Sequence, residues 1–534
     1  MSKSGRSRHP TTSSIYHSPK QMGSSIYNVR SRSHQTDNFV VSYPVNMNYM
    51  MSAEHNAGQQ KSIGLFFENP IAAGIVNTIV DGSIGGGLSL ESAPNYKILG
   101  LTEAGVKPVK DFIEWYWDLW TKNASLCDIY GKKTFGALQR EAYTNALASG
   151  DMLLHVKLAR ISERNGLLLP RIQNIPGQAV MSPNRSDSDR IKGGVETDIT
   201  GKEIAYHVAK ANTNEYLPET ERVSRYGSRT ERLQYNLVVT GDVTPGQIRG
   251  RSILLRVMDQ IIQIGRYSEA EIVKAVVQAN MTVFLESDAE IDETAGNGPM
   301  AQLQQNSDTW HELNPEGEKI SYSDEVKERQ PELGPGMIWN LPAGKKATMV
   351  ESKSPVSEFW KFIEAQLKII SMGIDTPYEV LLKAFNSNYS ASQAAIQTAA
   401  RNWRIRTDSF AYQYNQIVYE QFIEMLVRQN IIQCKGFLEN PIMRMAWCEA
   451  TWRGPSILNI DPLKNVNASI EGIRAGLTTP SIEARRLYDN DIDDVTDNLK
   501  AYHNRLDELG LVVDYGDAQP AKEESQEKDK EETE

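Results

Sequence analysis

The spacing of apolar side chains changes character several times along this chain, and each change marks an element. From Asn69 to Ser92 apolar residues recur at helical steps (Ile71, Ile75, Ile79) and then meet Gly82 and Gly85-Gly86-Gly87. That pattern predicts a helix, its stop and a tight turn. Phe112, Trp115, Trp117 and Trp120 mark an aromatic-rich helix of the kind that builds a core. Between about 150 and 240, strand-like runs (Met152 to Leu158, Ala205 to Val208, Leu237 to Val239) alternate with Gly/Pro turns, which predicts a mixed α/β body. After Pro245-Gly246, Leu254, Val257, Ile261, Ile264, Ile272 and Val276 recur at helical steps, the stripe of a long amphipathic helix. Ile253, Met258 and Ile262 widen its apolar face beyond what one partner helix would cover, as several neighbours in a ring would require.

Strand-like segments at Met281 to Leu285, Met337 to Leu341 and Thr348 to Val350 then flank a polar, acidic stretch at about 287–336. Long loops of this composition are functional or disordered. Ser354-Pro355 opens the next helix, with Val356, Trp360, Ile363, Leu367 and Ile370 as its stripe. Thr376-Pro377-Tyr378-Glu379 reads as a capping box starting a short helix that ends near Phe385. A polar knuckle follows, Asn386-Ser387-Asn388-Tyr389-Ser390. Residues 391–435 hold neither Gly nor Pro and are expected to form one long helix, alanine-rich at its start so that helices approach closely. A helix leading out, a small β element at the tip and a helix leading back describe a stalk.

Composition narrows the reading. A chain of 534 residues exceeds one ordinary core, so two to four subdomains are expected. No apolar run approaches the ~18 residues that span a bilayer, and Met1 to Pro10 lacks the apolar segment of a secretory signal. Residues 1–55 read as a disordered basic arm. Its Arg6, Arg8, Lys20, Arg30 and Arg32, with Tyr16 and Tyr27, are either a solvated tail or a contact for nucleic acid or a neighbouring subunit. Cys127, Cys434 and Cys448 stand apart, so neither zinc nor a disulfide framework is expected, and a reducing cytoplasm is the simplest compartment. The formal net charge of −11 argues against a protein that grips DNA through counterion release. It leaves room for a conduit, in which tight binding at every step would stall movement, and equally for a protein that never meets DNA.

The catalytic strings fail on inspection. Gly131-Lys132-Lys133-Thr134 and Gly344-Lys345-Lys346 lack the first glycine of a phosphate-binding loop, since Leu126 and Trp339 stand there. Asp489-x-Asp491-x-Asp493 starts like a calcium loop but has Asp494 at the glycine position and Lys500 at the final glutamate position. His311-Glu312 is followed by Pro315 where a second zinc-binding His would stand, and no Gly-x-Ser-x-Gly elbow occurs. The expectation is a non-enzymatic protein with no cofactor and no metal.

The C-terminal quarter carries the most specific strings. Trp452-Arg453-Gly454-Pro455 leads into Asp461-Pro462-Leu463-Lys464, followed by Ala475-Gly476-Leu477-Thr478 and Tyr488-Asp489-Asn490-Asp491. With the knuckle and the order of elements, these resemble the lambda-family portal proteins of tailed phages over about residues 60–510. The resemblance implies an α+β portal fold. Its parts would be an α/β wing at 56–250, a stem helix at 251–280 and a clip at 281–354. A second stem helix and lead at 355–385, a tunnel loop at 386–392 and a long wing/crown helix at 393–436 would follow. A wing return and crown at 437–513 and an acidic disordered tail at 514–534 would complete the chain.

The resemblance further implies a homo-oligomeric ring, a dodecamer, at one capsid vertex. Double-stranded DNA would pass through it during packaging and ejection. Its partners would be the terminase large subunit, the head-completion or connector proteins, the major capsid protein and scaffold, with no membrane. The protein would reside in the virion, and in host cytoplasm during assembly. Lys383, Asn386, Ser387, Asn388, Tyr389, Ser390 and Ser392 would line the channel. Small polar groups can brush phosphates through hydrogen bonds without the affinity of an arginine cluster; an ordinary interhelical loop is the alternative. Trp360, Ile363, Leu367, Arg401, Trp403 and Arg404 would lie at subunit interfaces. Two rivals stay open: a metal-dependent nuclease or hydrolase with dispersed carboxylates, and a structural virion protein without a channel.

Overall fold

The computed structural model describes residues 47–160, 166–210, 219–240, 245–279, 284–285, 339–340, 356–385, 389–455, 462–488 and 492–511. They form two units, one of Met1–Arg256 with Ile374–Glu534 and one of Val257–Gly373.

The larger unit opens with α1 (Met47–Glu68) and α2 (Pro70–Ser83). Asn69 caps α2 by accepting from the N–H groups of Ile71 and Ala72, and Pro70 takes the first helical position. The two helices meet at a bend of 95°, and Ile75, Val76, Ile79 and Val80 of α2 are fully buried. No single helix among the described residues is long and apolar enough to cross a membrane. Residues 47–55, assigned from sequence to the disordered arm, are helical instead, and His55 and Gln59 are buried. This helix is anchored by polar side chains, so no apolar period announces it.

After β1 (Ser89–Ser92) and the short α3 (Tyr96–Leu99) come α4 (Glu103–Lys122), α5 (Ala124–Cys127) and α6 (Phe135–Ser149). Strands β2 (Asp151–Arg160) and β3 (Leu168–Pro176) follow, then β4 (Ile191–Lys192), β5 (Val195–Thr197), β6 (Glu203–Ala209), β7 (Thr220–Ser224) and β8 (Tyr235–Val239). They build an antiparallel sheet of order β3-β2-β8 and a four-stranded antiparallel sheet β4-β5-β6-β7. Leu153, Val180, Val195, Tyr206 and Leu237 pack between them as one core cluster.

The smaller unit holds α7 (Met258–Ala279), β9 (Phe284–Leu285), β10 (Trp339–Asn340) and most of α8 (Val356–Ile374). β9 and β10 pair in parallel. Tyr267 of α7 stacks on Phe359 of α8 at 5.5 Å between ring centroids. Ile261, Ile264, Ile363, Leu367 and Ile370 are buried, while Ile272, Val273 and Val276 at the other end of α7 are exposed. The stretch at 286–338 and the strand-like run Thr348 to Val350 lie outside the described residues, as do residues 1–46, Asp489–Asp491 and the acidic tail.

The chain then runs through α9 (Tyr378–Leu382), α10 (Tyr389–Gln413), α11 (Asn415–Arg428), α12 (Pro441–Trp447) and β11 (Ala450–Arg453). Helices α13 (Pro462–Arg474), α14 (Pro480–Tyr488) and α15 (Ile492–Leu509) close it. The single helix expected over 391–435 is broken at Tyr414 (φ −120°, ψ −66°) and ends at Arg428. The break has no glycine or proline to signal it. Tyr414 is held off the helical path because its ring stacks on Phe410 and Phe135 and its hydroxyl reaches Asn174 Oδ1 at 3.0 Å. At the far end Asn430 adopts φ 56°, a left-handed residue that terminates helices. The capping box at Thr376 does not form either: Pro377 occupies the cap position of α9, and no side chain caps it.

Aromatic residues bind the two halves of the larger unit together. Trp117 meets Phe135, Tyr419 and Phe422 edge-on at 5.2, 5.5 and 5.2 Å, and Trp452 at 5.7 Å. Such contacts add about 0.5–1.5 kcal/mol each beyond burial.

Candidate channel segment

Helix α9 ends where Lys383 turns left-handed (φ 54°), its N–H directed to the carbonyls of Glu379 and Val380. Lys383, Leu382 and Phe385 are exposed. Asn386, Ser387 and Asn388 lie outside the described residues, and α10 begins at Tyr389. The polar knuckle is therefore shorter than its sequence suggested. Tyr389 and Ser390 belong to the first turn of α10, with Ser390 exposed. Ser392, at 5% exposure, is buried and offers no surface to a passing ligand.

The segment is held from behind. Val380 of α9 and Ile396 and Ala399 of α10 form a small core closed by Ala395 and Trp403. Trp403 lies on Gly82 of α2, where an added Cβ would stand 2.3 Å from the indole. One turn on, Thr407 Oγ1 donates to the Ser83 carbonyl at 2.7 Å. Asn402 Nδ2 donates to the Asp375 carbonyl at 2.7 Å and Arg406 Nη2 to that of Ile374 at 3.1 Å. Asp375 takes φ 56° at this point. Further along, Gln413 accepts from Val239 N and donates to its carbonyl, joining α10 to the edge of β8.

The Trp452-Arg453-Gly454-Pro455 string serves the same junction. Ser89 to Ser92 pair antiparallel with Arg453 to Ala450, and Arg453 forms an ion pair with Glu91. Trp452 Nε1 donates to Gln416 Oε1 at 3.1 Å. A side chain at Gly454 would strike the Ser83 carbonyl at 2.7 Å, and Pro455 lies over Gly85. The string is informative because four consecutive residues each fit a different neighbour: Gln416 of α11, Glu91 of β1, and Ser83 and Gly85 at the end of α2.

The residues read as interfacial are divided. Ile363 and Leu367 are covered by the chain itself, and Trp403 is half-buried on Gly82, whereas Trp360 is 70% exposed. Arg401 and Arg404 are exposed on one face of α10, which also carries exposed Ile405 and Tyr412. Beside that helix lies a cavity of about 420 Å³, lined in part by Arg251, Arg256, Asp375, Asn402 and Arg406. Three guanidinium groups against one carboxylate make it electropositive, a local exception in an acidic chain.

Sequence reasoning missed a buried ionic centre at the start of β2. Arg249 Nε and Nη2 bind Asp151 Oδ2 and Oδ1 at 2.6 and 2.8 Å. Its remaining donors reach the carbonyls of Val180, Gly193 and Gly177, so all five N–H groups are used. Asp151 also accepts from Gln59 Nε2 at 3.1 Å and Gly250 N at 3.0 Å. Complete burial works to raise the Asp151 carboxyl, and Arg249 outweighs it, so the net shift is downward. The faint sequence signal was a pair of dipeptides, Gly150-Asp151 and Arg249-Gly250. The two glycines let the backbones touch: a Cβ on Gly250 would lie 1.9 Å from the Gly150 oxygen.

His55 Nε2 stands 3.8 Å from Asp151 Oδ2. Burial, aided by Arg249, pushes this imidazole down to about 4, so it is neutral at pH 7 and the contact is not an ion pair. The folded value lies below the ordinary 6.5, so the unfolded chain takes up the proton first. Stability from the neutral ring is full above about pH 6.5 and is lost as pH falls toward 4, about 2 kcal/mol of it by pH 5. In urea titrations at pH 7 and 5, His55→Gln is expected to flatten that dependence. An unchanged slope would mean that His55 is not its source.

Comparisons with known proteins agree on one family. Residues 41–406 match the family described as phage portal protein, lambda family. The chain is 22% identical over 447 residues to portal protein B of Escherichia phage lambda, covering 81% of each. It is 22% identical over 455 residues to the portal protein of Escherichia phage N15, covering 82% of each. Among solved structures, a chain from the neck of a native gene transfer agent particle, computed with C12 symmetry, matches with a TM-score of 0.38 and 13% identity. That match covers 81% of this chain and 94% of the other. With α2, α9 and most of α10 inside the matched range, the chain belongs to the lambda family of phage portal proteins.

Proposed function

We propose that copies of this chain close into a ring at a capsid vertex, that DNA passes along its axis, and that Lys383 to Ser390 face the passing duplex. The observation that carries the reading is the family match over residues 41–406, which contains this segment and the α2 end that supports it. The chemistry suits the task. A single lysine and small polar groups give phosphate contacts that form and break, and each avoided arginine lowers the affinity that would arrest the strand. Wing, stem, clip and crown are then roles for the α/β body, the α7–α8 unit, its β tip and the C-terminal helices. The clip would dock the terminase large subunit and later the head-completion proteins. The chain itself contributes no catalytic step, and the partner ATPase supplies the work.

Deleting Asn386-Ser387-Asn388 and bridging the gap with two glycines tests the assignment. Electron microscopy is expected to show rings as in the unaltered chain, while DNA retained per particle falls to a small fraction. Full packaging would remove these residues from the channel wall. A monomer by mass, for the unaltered chain as well, would remove the ring.

A further inference from the structure

The cavity beside α10 holds positive charge that the fold does not use. In a chain with 68 acidic and 57 basic side chains, an arginine finds a carboxylate easily. Arg140 pairs with Asp81, Arg222 with Glu196, Arg225 with Glu203 and Arg428 with Glu424. Arg251 and Arg406 do not: among the described residues neither forms an ion pair. Both line the cavity of about 420 Å³, with Arg256 and Asp375 beside them. Three guanidinium groups against one carboxylate leave a surplus of two positive charges, and no other ionisable acid or base lines the wall apart from the Tyr143 phenol. Like charges gathered in one concave site repel, so an anion entering it gains from all of them at once.

The wall is fixed by the fold. Tyr143 and Leu147 of α6, Val238 of β8, Ile253, and Phe410 of α10 make its floor, and all five are buried. Arg406 Nη2 donates to the Ile374 carbonyl at 3.1 Å and Asn402 Nδ2 to that of Asp375 at 2.7 Å. These bonds hold α10 against the turn where Asp375 is left-handed, so the charged groups are carried on a braced helix. Every lining residue belongs to the larger unit. The volume falls within the ~300–1,000 Å³ of small-molecule sites, and an apolar floor with a few charged groups at its wall is their usual make-up.

We propose that this cavity binds a phosphate monoester, carried by a free nucleotide or by the 5′ end of a DNA strand. A monoester carries close to two negative charges at pH 7 and three acceptor oxygens, which matches the surplus on the wall. Guanidinium forks suit such oxygens because they can donate two parallel bonds to one group. An internucleotide diester carries a single charge and is flanked by sugars on both sides, so it enters a cavity poorly. The site can therefore hold a monoester firmly without gripping the backbone of a strand in transit. Space beyond the phosphate, over Leu147, Val238 and Phe410, leaves room for a nucleoside. The inference does not depend on the ring reading given above.

The test uses the full chain, titrated calorimetrically with 5′-dAMP and, as the uncharged control, with deoxyadenosine. Saturable binding below millimolar concentration is expected for 5′-dAMP and none for deoxyadenosine. Arg251 is exposed and makes no hydrogen bond among the described residues, so Arg251→Ala should keep the urea midpoint while weakening 5′-dAMP about tenfold, the effect of losing one bond to a charged group. Asp375→Asn keeps the side-chain shape, and asparagine tolerates the left-handed backbone. By removing the one carboxylate of the wall, it should tighten 5′-dAMP several-fold. Fluorescence anisotropy with a short blunt duplex, with and without 5′ phosphates, separates the two sources. A preference for the phosphorylated duplex that Arg251→Ala removes would assign the DNA end, and indifference to it, with 5′-dAMP still bound, would assign the free nucleotide. Equal binding of deoxyadenosine, or 5′-dAMP binding unchanged in both variants, would overturn the site. Absence of 5′-dAMP binding, with oligomers dissociated by Arg251→Glu, would overturn it in favour of a carboxylate from a neighbouring copy.

Discussion

Arg249→Ala is expected to lower the stability of the larger unit by about 3–5 kcal/mol, the loss that follows when one member of a buried ion pair is removed. Asp151 is fully buried and Arg249 is 4% exposed, so water cannot replace the lost partner. The carboxylate would keep its bonds from Gln59 and Gly250, but three backbone carbonyls, those of Gly177, Val180 and Gly193, would lose their donor at the same time. A whole domain retains only about 5–15 kcal/mol, so the variant should be visibly impaired in expression and in urea midpoint. Arg249→Lys should recover little, since an ammonium cannot reach five acceptors in a planar fork. The double variant Arg249→Met/Asp151→Leu should lose less than Arg249→Ala alone, because it leaves no buried charge. Urea unfolding with a constant slope reads all three. A loss under about 1 kcal/mol for Arg249→Ala would show that water enters the site and that the pair is not what joins α1 to the sheets.

Legibility in the sequence followed the kind of force involved. Elements carried by apolar periodicity were readable: the α2 stripe, the strands at 152–158, 205–208 and 237–239, and the opposed stripes of α7 and α8. Elements carried by polar anchoring were not. Helix α1 has two internal glycines and buries His55, Gln59 and Ser62, so its pattern looks like a solvated arm. The break at Tyr414 was invisible because aromatic stacking imposes it across 279 residues of sequence, from Phe135, with no local glycine or proline. In the candidate channel segment, the knuckle's composition was legible but its extent was not. Tyr389 and Ser390 are drawn into α10, and Ser392 is turned inward by the packing of α10. What supports the segment was scattered over Gly82, Ser83, Asp375 and Gly454, four positions whose proximity follows from the fold and from no spacing along the chain.

Gly82→Val is expected to cost about 3 kcal/mol and to loosen the support of the channel segment. An ideal Cβ at this position lies 2.3 Å from two ring atoms of Trp403, so the indole must move or the helices must part. Replacing a helical glycine would by itself be favourable by less than about 1 kcal/mol, too little to offset the overlap. Trp403 has little to hold it in a new position, since its Nε1–H finds no acceptor among the described residues. Displaced, it would abandon the core it closes over Val380, Ile396 and Ala399, and with it the contact between α9 and α10. Those two helices carry Lys383 and Tyr389, the described ends of the segment. Shortening the obstacle should therefore restore what enlarging the glycine removes. Gly82→Val/Trp403→Leu is expected to regain 1–2 kcal/mol of the loss, a coupling of the size that touching residues show. The measurement is a double-mutant cycle by urea unfolding, with DNA retained per particle followed in parallel. Additive losses would mean that Gly82 and Trp403 act separately. A destabilised Gly82→Val ring that still packages fully would mean that the α2–α10 contact holds the fold without positioning the channel wall.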